Sequence, residues 1–343
     1  MSETTATRRR RTQPNRGPTL HDVARTAGVS TASASRALSR PDLVSEELRE
    51  RVMAARQTLA YVPNIAAQVL SGRPSRLVGA IVSSLNDPLT AISLEALTRE
   101  LAANGVALIL MVTGNHPAAP EECVRTLLAR GAGAIVFGGD ASPNDLPGVL
   151  AGRRLPCASF DHAWTEAVSS HSSFDRAKAL ALAARYLQQL GHAHIGFFAI
   201  GGDRRISDVR TGLAGTGIGV LDDLSADPLK PVLGASEALD HWLSLPTPPT
   251  GLVGGSDAAA VALVQECKRR EIAVPEHMSV IGCGDTELSR LVCPALSTLR
   301  LPAREAGTAL ARNLLACMEG RTETSPEIFA KLVARESTAP RRG

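Results

Sequence analysis

The sequence predicts a small all-α helix-turn-helix head followed by an α/β core of two doubly wound, parallel-sheet lobes. Two patterns carry this prediction. Residues 19–62 contain short amphipathic segments, each preceded by a polar residue that can cap a helix. From Leu77 onward, apolar runs of strand length alternate with helical stretches, which is typical of parallel sheets covered on both faces. At 343 residues, the chain is long enough for two or three domains.

The first predicted helix begins after Thr19. Thr19 and Asp22 have the spacing of a capping box, and Gly28 can end the helix. The apolar face between them consists of Leu20, Val23, Ala24 and Ala27.

The next two helices are also bounded by capping and stop signals. Ser30 can cap a second helix from Thr31 to about Ser39, which Pro41 stops, and Ser45 opens a third helix with acidic residues in its first turn. The apolar stripe of the third helix consists of Leu48, Val52, Ala55 and Leu59. Three such helices are predicted to form a compact bundle.

Residues 63–75 are predicted to form a hinge helix and linker. Pro63 suits a first helical position and Gly72 suits a C-cap, which leaves a helix of about eight residues. Isolated helices shorter than ~12 residues are marginal in water, so this helix is expected to form only when another surface packs against it. Residues 1–18 are rich in Arg, Thr and Pro, so a disordered basic tail is expected there.

Residues 76–338 are predicted to form the α/β core, whose ligands are expected at the carboxyl ends of the strands. The predicted buried strands are Leu77–Leu85, Val106–Val112, Ala134–Phe137, Ile195–Ile200, Gly251–Val253 and Val280–Ile281. The predicted helices include Ile92–Asn104, Cys123–Arg130, Asp175–Leu190, Ala258–Arg270 and Ala303–Met318.

Charge is unevenly distributed along the chain. Residues 1–75 contain 12 arginines, no lysine and 6 acidic residues, a net charge of +6, whereas the remainder has 25 basic and 28 acidic residues, a net charge of −3. A positive N-terminal module on a mildly acidic body indicates a polyanionic partner, because each neutralised phosphate releases counterions. For Arg8 to Arg11 alone, a solvated tail is an equally good interpretation.

Several function classes lack their usual signals. The 6 cysteines include no C-x-x-C pair, so we expect reduced, mostly buried thiols rather than a zinc knuckle or a disulfide framework. No P-loop is present, residues 215–219 do not match the dinucleotide fingerprint, and no cofactor is expected. The sequence contains neither a signal peptide nor an apolar run of ~20 residues, so we expect a cytoplasmic protein without a membrane segment.

A long signature in the head carries a family resemblance. The stretch from Thr19 to Leu38, followed by Val44-Ser45-Glu46 and Tyr61-Val62-Pro63-Asn64, resembles the head and hinge of the LacI (lactose repressor, GalR-type) family without a gap. The resemblance continues through Leu190-Gly191-His192, Ile195-Gly196, Ser256-Asp257-Ala258, Val274-Pro275, Val280-Ile281-Gly282 and the run from Pro294 to Leu299. It covers nearly the whole chain and is weakest around residues 200–245.

The resemblance implies a transcriptional regulator rather than an enzyme. It implies a homodimer, or a dimer of dimers, that binds a pseudo-palindromic double-stranded DNA operator and responds to a small-molecule effector. The core would resemble a periplasmic sugar-binding protein whose two lobes the chain crosses three times. The first lobe would hold residues 76–171 and 303–322, and the second would hold 172–296 with a late strand near Phe329–Val333. Release of the operator by the effector is the commoner family outcome.

The resemblance also places DNA-binding residues on this chain. Thr31, Ala32 and Arg36 fall on the recognition helix, where an arginine can contact guanine in bidentate fashion. Leu70 would wedge between base pairs from the minor groove, although a core leucine is the alternative. The expected set is Thr19, Leu20, His21, Ser30, Thr31, Ala32, Ser35, Arg36, Ser39, Asn64, Ala67 and Leu70.

The effector site is predicted from polar residues that follow strands. Asp257 is the strongest candidate, although it can instead cap the helix that begins there. The expected set is Asn86, Asp87, Asp140, Arg205, Ser256, Asp257 and Asp285.

The same site departs from the family pattern at three positions. Ser256 stands where Asn is usual, Gly284 replaces a sugar-contacting aspartate, and Val209 replaces an effector-clamping arginine for which Arg205 or Arg210 can substitute. An ordinary hexose effector is therefore disfavoured.

Three alternatives compete with this function. Gly254-Gly255-Ser256-Asp257-Ala258 nearly matches the nucleophile elbow of an acyl hydrolase, but Ala258 replaces its last glycine. His192 and His194 have the spacing of a possible metal pair but lie at a helix-to-strand junction. A solute sensor with a vestigial head is the third alternative.

Overall fold

The computed structural model describes residues 17–62, 75–114, 119–138, 155–160, 176–200, 219–220, 224–226, 231–321 and 329–341. The chain divides into two compact units, Met1–Arg73 and Pro74–Gly343. The predicted hinge helix lies outside the described residues.

The head contains the helices that its capping residues predict. They are α1 (Leu20–Ala27), α2 (Thr31–Ser39) and α3 (Glu46–Thr58), with a 3-10 turn at Pro41–Leu43 between the last two. Thr19 and Asp22 form the predicted capping box, and Gly28 ends α1 with a φ of 65°. The predicted helix boundaries in the head are therefore confirmed.

Small side chains fill the interior of the head. Its buried residues are Val23, Ala24, Ala27, Ala34, Ala37, Val52, Ala55 and Tyr61. Because alanine dominates this cluster, the helices approach closely and little apolar area is buried per residue. Stability of the head therefore depends on helix caps and on contacts between helices as well as on burial.

The first lobe of the core is a parallel sheet in the order β2-β1-β3-β4. Its strands are β1 (Leu77–Val82), β2 (Ala107–Val112), β3 (Ala134–Gly138) and β4 (Cys157–Ser159). Helices α4 (Pro88–Ala103) and α5 (Ala119–Ala129) belong to the same lobe. Alternate residues of β1 face opposite layers, with Val78 and Ala80 in one cluster and Leu77 and Ile81 in the other.

The second lobe is a larger sheet in the order β11-β10-β9-β8-β5-β6, with β7 also paired to β5. Its strands are β5 (His194–Ile200), β6 (Gly219–Val220), β7 (Leu224–Ala226), β8 (Gly251–Gly254), β9 (Ser279–Cys283), β10 (Ser297–Arg300) and β11 (Lys331–Val333). Only β11 pairs antiparallel among the described strands. Its helices are α6 (Arg176–Gln189), α7 (Pro231–Leu243), α8 (Asp257–Arg269) and the short α9 (Leu288–Leu291).

The last long helix, α10 (Ala303–Met318), returns to the first lobe. Its residues Leu310, Ala311 and Leu314 lie in one buried cluster with Val78 and Ala80 of β1. The chain thus leaves the second lobe after β10 and packs a helix on the first lobe.

Several sequence-based boundaries were wrong. The first strand ends at Val82 rather than Leu85, and β2 is a partly exposed edge strand rather than a buried one, with Leu110 39% and Val112 52% exposed. Helices α4 and α5 begin four residues earlier than predicted, at Pro88 and Ala119. The short elements β4, β6, β7, β10 and α9 were not predicted, because runs of two to four residues carry too little periodicity.

Candidate functional site

The second helix of the head has one buried face and one solvent-facing face. Ala34 and Ala37 are buried in the head interior, whereas Thr31, Ala32 and Arg36 are exposed. Thr31, Ala32 and Arg36 lie within about one and a half turns, so their side chains project from one side of α2. The arrangement leaves a guanidinium, a hydroxyl and two methyl groups free to meet an external surface.

Two hydroxyls of the predicted DNA-binding set already donate to protein acceptors. The Thr19 hydroxyl donates to Asp22 Oδ2 at 2.7 Å, and the Ser39 hydroxyl donates to the Ser35 carbonyl at 2.7 Å. The hydrogen bonds from the Thr19 hydroxyl and then from its backbone N–H lower the pKa of Asp22. Thr19 and Ser39 therefore act first as helix-stabilising residues, because phosphate oxygens only accept hydrogen bonds.

The other predicted DNA-binding residues have different environments. Ser30 caps α2 by accepting from Ser33 N at 3.0 Å. Leu20 packs against the head interior, and His21 is exposed in the first turn of α1. Ser35 is half-buried on α2. Asn64, Ala67 and Leu70 lie outside the described residues.

The structure adds Arg51, which sequence reasoning missed. Its Nη2 donates to the carbonyls of Ala27 at 2.6 Å and Gly28 at 3.3 Å. These partners are 24 and 23 residues away, so no local pattern could have indicated the contact.

In the core, the described members of the predicted effector set lie after the carboxyl ends of parallel strands. Asn86 and Asp87 follow β1, Ser256 and Asp257 follow β8, and Asp285 follows β9. Parallel α/β sheets bind ligands at this edge. The remaining members, Asp140 and Arg205, lie outside the described residues.

Asp257 is a buried anchor for the surrounding loops. Its side chain is 1% exposed, and Oδ2 accepts hydrogen bonds from Thr286 N at 2.6 Å and from the Thr286 hydroxyl at 2.8 Å. Its Oδ1 accepts from the Thr298 hydroxyl at 2.5 Å. A Cβ at position 282 would lie 2.4 Å from Oδ1, which explains why Gly282 lines this carboxylate. The alternative that Asp257 is the N-cap was wrong, because Ser256 caps α8 through Ala259 N.

Asp285 is paired with two arginines. Its carboxylate, 4% exposed, accepts from Arg300 Nε at 2.6 Å and from Arg335 Nη2. Burial raises the pKa of Asp285, but the hydrogen bonds from Arg335 and Arg300 outweigh burial and leave that pKa below its usual value. The pairs join the loop after β9 to the end of β10 and to the segment after β11.

The residues after β1 have different environments. Asp87 is the N-cap of α4, where it accepts from Leu89 N at 3.1 Å and from the Thr90 hydroxyl at 3.0 Å. Asn86 is exposed, and Ser256 is half-buried. Of the described candidates, Asn86 and Ser256 therefore have the side chains most open to a ligand.

The serine of the near-match to a nucleophile elbow and the first histidine of the possible metal pair both have hydrogen-bond partners within the protein. The Ser256 oxygen accepts from Ala259 N at 3.2 Å, which is the geometry of a helix cap. His192 is buried, with Nδ1 2.9 Å from the Thr250 hydroxyl and Nε2 3.2 Å from the Ala339 carbonyl. The described part of the chain contains no group of three potential metal ligands and no helix long and apolar enough to cross a membrane.

Two family models match the chain. Residues 19–64 match the model described as bacterial regulatory proteins, lacI family, and residues 184–338 match a periplasmic binding protein-like domain. The first match covers the head with its exposed α2 face. The second covers most of the larger lobe.

Several transcriptional regulators align with nearly the full chain. The HTH-type transcriptional regulator GntR of Pseudomonas aeruginosa is 29% identical over 94% of this chain and 96% of its own length. The HTH-type transcriptional repressor CytR of Escherichia coli is 27% identical over 93% and 96%. A lac repressor dimer solved with operator and the anti-inducer ONPF is 24% identical, covers 94% of this chain and 100% of its own, and superposes with a TM-score of 0.77. The two-part fold predicted from the sequence is confirmed.

Proposed function

The chain belongs to the lacI family of bacterial regulatory proteins and is a DNA-binding transcriptional regulator, and from this premise we propose that it is an effector-controlled repressor. It binds a pseudo-palindromic operator in double-stranded DNA and leaves it when a small molecule binds the core. Its site of action is the chromosome, so we assign it to the cytoplasm.

The exposed face of α2 carries the DNA-binding part of the proposal. Arg36 makes no hydrogen bond or ion pair with its side chain among the described residues, while Ala34 and Ala37 anchor the opposite face. An exposed guanidinium on an anchored helix can contact the O6 and N7 atoms of guanine. The methyl groups of Thr31 and Ala32 can contact thymine. The basic excess of the first 75 residues supplies the attraction to phosphate.

Apolar side chains on the surface of the core support a homodimer. Leu110 and Val112 are exposed on the edge strand β2, and Leu288 and Leu291 are 44% and 77% exposed on α9. We assign these surfaces to contacts between two copies, because a paired edge strand and covered leucines remove exposed apolar area. A dimer presents two heads, which matches a palindromic operator, and two dimers can assemble further.

The effector is assigned to the strand ends of the core. Asn86 and Ser256 are the proposed ligand contacts, whereas Asp87, Asp257 and Asp285 hold the surrounding loops and helices in place. An effector changes operator affinity only if it binds the DNA-competent and incompetent states differently. Catalysis is not part of this proposal, because the Ser256 oxygen serves as a helix cap.

The first test measures DNA binding by the full-length chain. Fluorescence anisotropy is recorded with duplexes that tile the DNA upstream of its own coding region, and with scrambled duplexes of equal length. A repressor retains one duplex at a salt concentration that abolishes binding to the scrambled ones. Equal affinity for all duplexes would favour the solute sensor with a vestigial head.

The second test looks for the effector. A thermal-shift screen of metabolites identifies compounds that stabilise the core, and each hit is then added to the protein-operator complex. The proposal expects release of the DNA at the concentrations that raise the melting temperature. A hit that strengthens DNA binding would instead identify a co-repressor.

A further inference from the structure

We propose that Arg51 is a positioning residue for base reading, because it fixes the turn between α1 and α2 and thereby the location of Thr31 and Ala32. This inference rests on the proposed reading of DNA by α2. It assigns to α3 a role beyond closing the interior of the head.

Arg51 reaches across the head from α3 to the end of α1. Its Nη2 lies 2.6 Å from the Ala27 carbonyl oxygen and 3.3 Å from that of Gly28. Among the described residues, the neighbouring Arg49 forms one ion pair, within α3, to Glu46 at 2.5 Å. Of these two arginines on α3, Arg51 contacts a separate helix, whereas the ion pair of Arg49 lies within its own helix.

The two carbonyls lie where a helix end leaves acceptors without partners. At the end of α1, Val29 N donates to the Ala24 carbonyl at 2.9 Å and Gly28 N donates to that of Arg25 at 3.2 Å. Such turn bonds satisfy the earlier carbonyls but leave the later ones to other donors. The positive guanidinium also lies at the negative end of the α1 dipole, which is the favourable arrangement.

The geometry of the turn links this contact to the recognition helix. Only Val29 separates Gly28 from Ser30, the N-cap of α2, and Thr31 and Ala32 follow directly. Gly28 has a φ of 65°, and a Cβ there would lie 3.1 Å from Arg51 Nη2. Movement of these two carbonyls therefore displaces the first turn of α2, and the methyl contacts of Thr31 and Ala32 with a base depend on close approach.

The test compares full-length Arg51→Met and Arg51→Lys with the control Arg49→Met. Methionine retains most of the side-chain volume but no donor, lysine retains charge and a donor, and the control removes the same charge from the same helix. Affinity for the operator and for a scrambled duplex is measured over a series of salt concentrations. Circular dichroism and a thermal melt establish that each variant is folded at the assay temperature.

Loss of positioning predicts a change in specificity alone. Relative to Arg49→Met, Arg51→Met is expected to bind the operator roughly tenfold more weakly, because the contacts of the Thr31 and Ala32 methyl groups with thymine are lost when the first turn of α2 is displaced. Its affinity for the scrambled duplex and its salt slope are expected to equal those of the control. Arg51→Lys is expected to recover most of the operator affinity.

Other outcomes overturn the proposal. Equal weakening on both duplexes with a salt slope lower by about 0.9 identifies Arg51 as a phosphate ligand. Unchanged operator affinity with a lower melting temperature identifies a purely stabilising contact.

If Arg51→Met does not fold, Arg51→Lys decides, since one remaining donor predicts a roughly twofold to threefold loss of affinity for the operator only. Wild-type protein that prefers no duplex refutes the DNA-reading proposal and this inference together, whereas a preference that every variant keeps refutes this inference alone.

Discussion

The capping residues of the head and the buried aspartates of the second lobe have hydrogen-bond partners at different distances along the chain. In the head, Thr19 bonds Asp22 and Ser30 bonds Ser33, both three residues apart. In the lobe, the partner of Asp257 at Thr286 lies 29 residues away, and Arg335 lies 50 residues from Asp285. Local partners can be recognised in a linear sequence, whereas distant partners depend on how strands are ordered in the sheet. Asp22 and Asp257 both lie near the start of a helix, but Asp22 belongs to a local helix cap whereas Asp257 joins segments that are distant in the sequence.

The largest expected effect tests this contrast directly. Asp257→Ala leaves the Thr298 hydroxyl and both Thr286 donors without an acceptor in a buried site, so it should lower the free energy of unfolding of the core by roughly 2–5 kcal/mol. Asp22→Ala is the control, because its partner Thr19 is only half-buried and can be re-solvated. Urea denaturation of each variant measures the difference. Equal destabilisation by the two substitutions would contradict the contrast.

Leu70 belongs to the segment between the two regions, and its role stays a prediction from the sequence. Leu70→Ala should lose both operator affinity, on the order of a few kcal/mol, and DNA bending, because an intercalating side chain repays unstacking by bending the duplex. Circular-permutation gels measure the bend. Val69→Ala is a matched control on the same segment, and an unchanged bend in the Leu70 variant would refute the wedge.

Arg36 tests whether the exposed face of α2 reads bases. Arg36→Ala should relax base preference at one symmetric position per half-site by roughly 1–3 kcal/mol, because one bidentate contact is lost. Competition among operator variants measures the preference. Arg40→Ala removes the same charge just beyond α2 and should weaken all variants about equally. If Arg36→Ala keeps the wild-type rank order of operators, base reading by Arg36 is wrong.

The smallest expected effect concerns two histidines in the two regions. Burial, opposed in part by the Ala339 carbonyl and reinforced by Arg341, lowers the pKa of His192 in the folded core. The unfolded chain, with a histidine pKa of about 6.5, then binds more protons, so the contribution of His192 is full above pH ~6.5 and declines as pH falls below it.

Thermal melts between pH 7.5 and 5 test this dependence. His192→Gln retains a donor for the Ala339 carbonyl and should flatten the loss of stability toward acid pH. His21→Gln, at an exposed position of the head, is the control for exchanging a histidine for glutamine. Equal profiles for wild type and His192→Gln would show that other groups set the acid sensitivity.

The head could be predicted from sequence almost residue by residue. Thr19, Ser30 and Ser45 cap α1, α2 and α3, and Gly28 and Pro41 mark where α1 and α2 end. These signals depend on backbone groups within four residues of the side chain, and such groups are already close in the chain.

The core could be predicted only in outline. Alternating apolar runs located β1, β3, β5, β8 and β9, and so indicated parallel sheets. The edge position of β2 was not predictable, because an apolar run has the same composition whether one neighbour or two will pair with it. Short strands such as β10 and β11 become strands only because a longer neighbour offers them hydrogen bonds.

The sequence by itself determined the architecture, the exposed face of α2 and the edge of the sheets where a ligand should bind, since these follow from periodicity and from strand direction. Tertiary structure alone decided which polar side chains at that edge are accessible to a ligand. It turned Asp257 toward Thr286 and Thr298, paired Asp285 with Arg300 and Arg335, and brought Arg51 to the end of α1. A buried carboxylate or an unpaired carbonyl takes whichever donor the fold brings near it, because leaving it unsatisfied costs more than almost any other local arrangement.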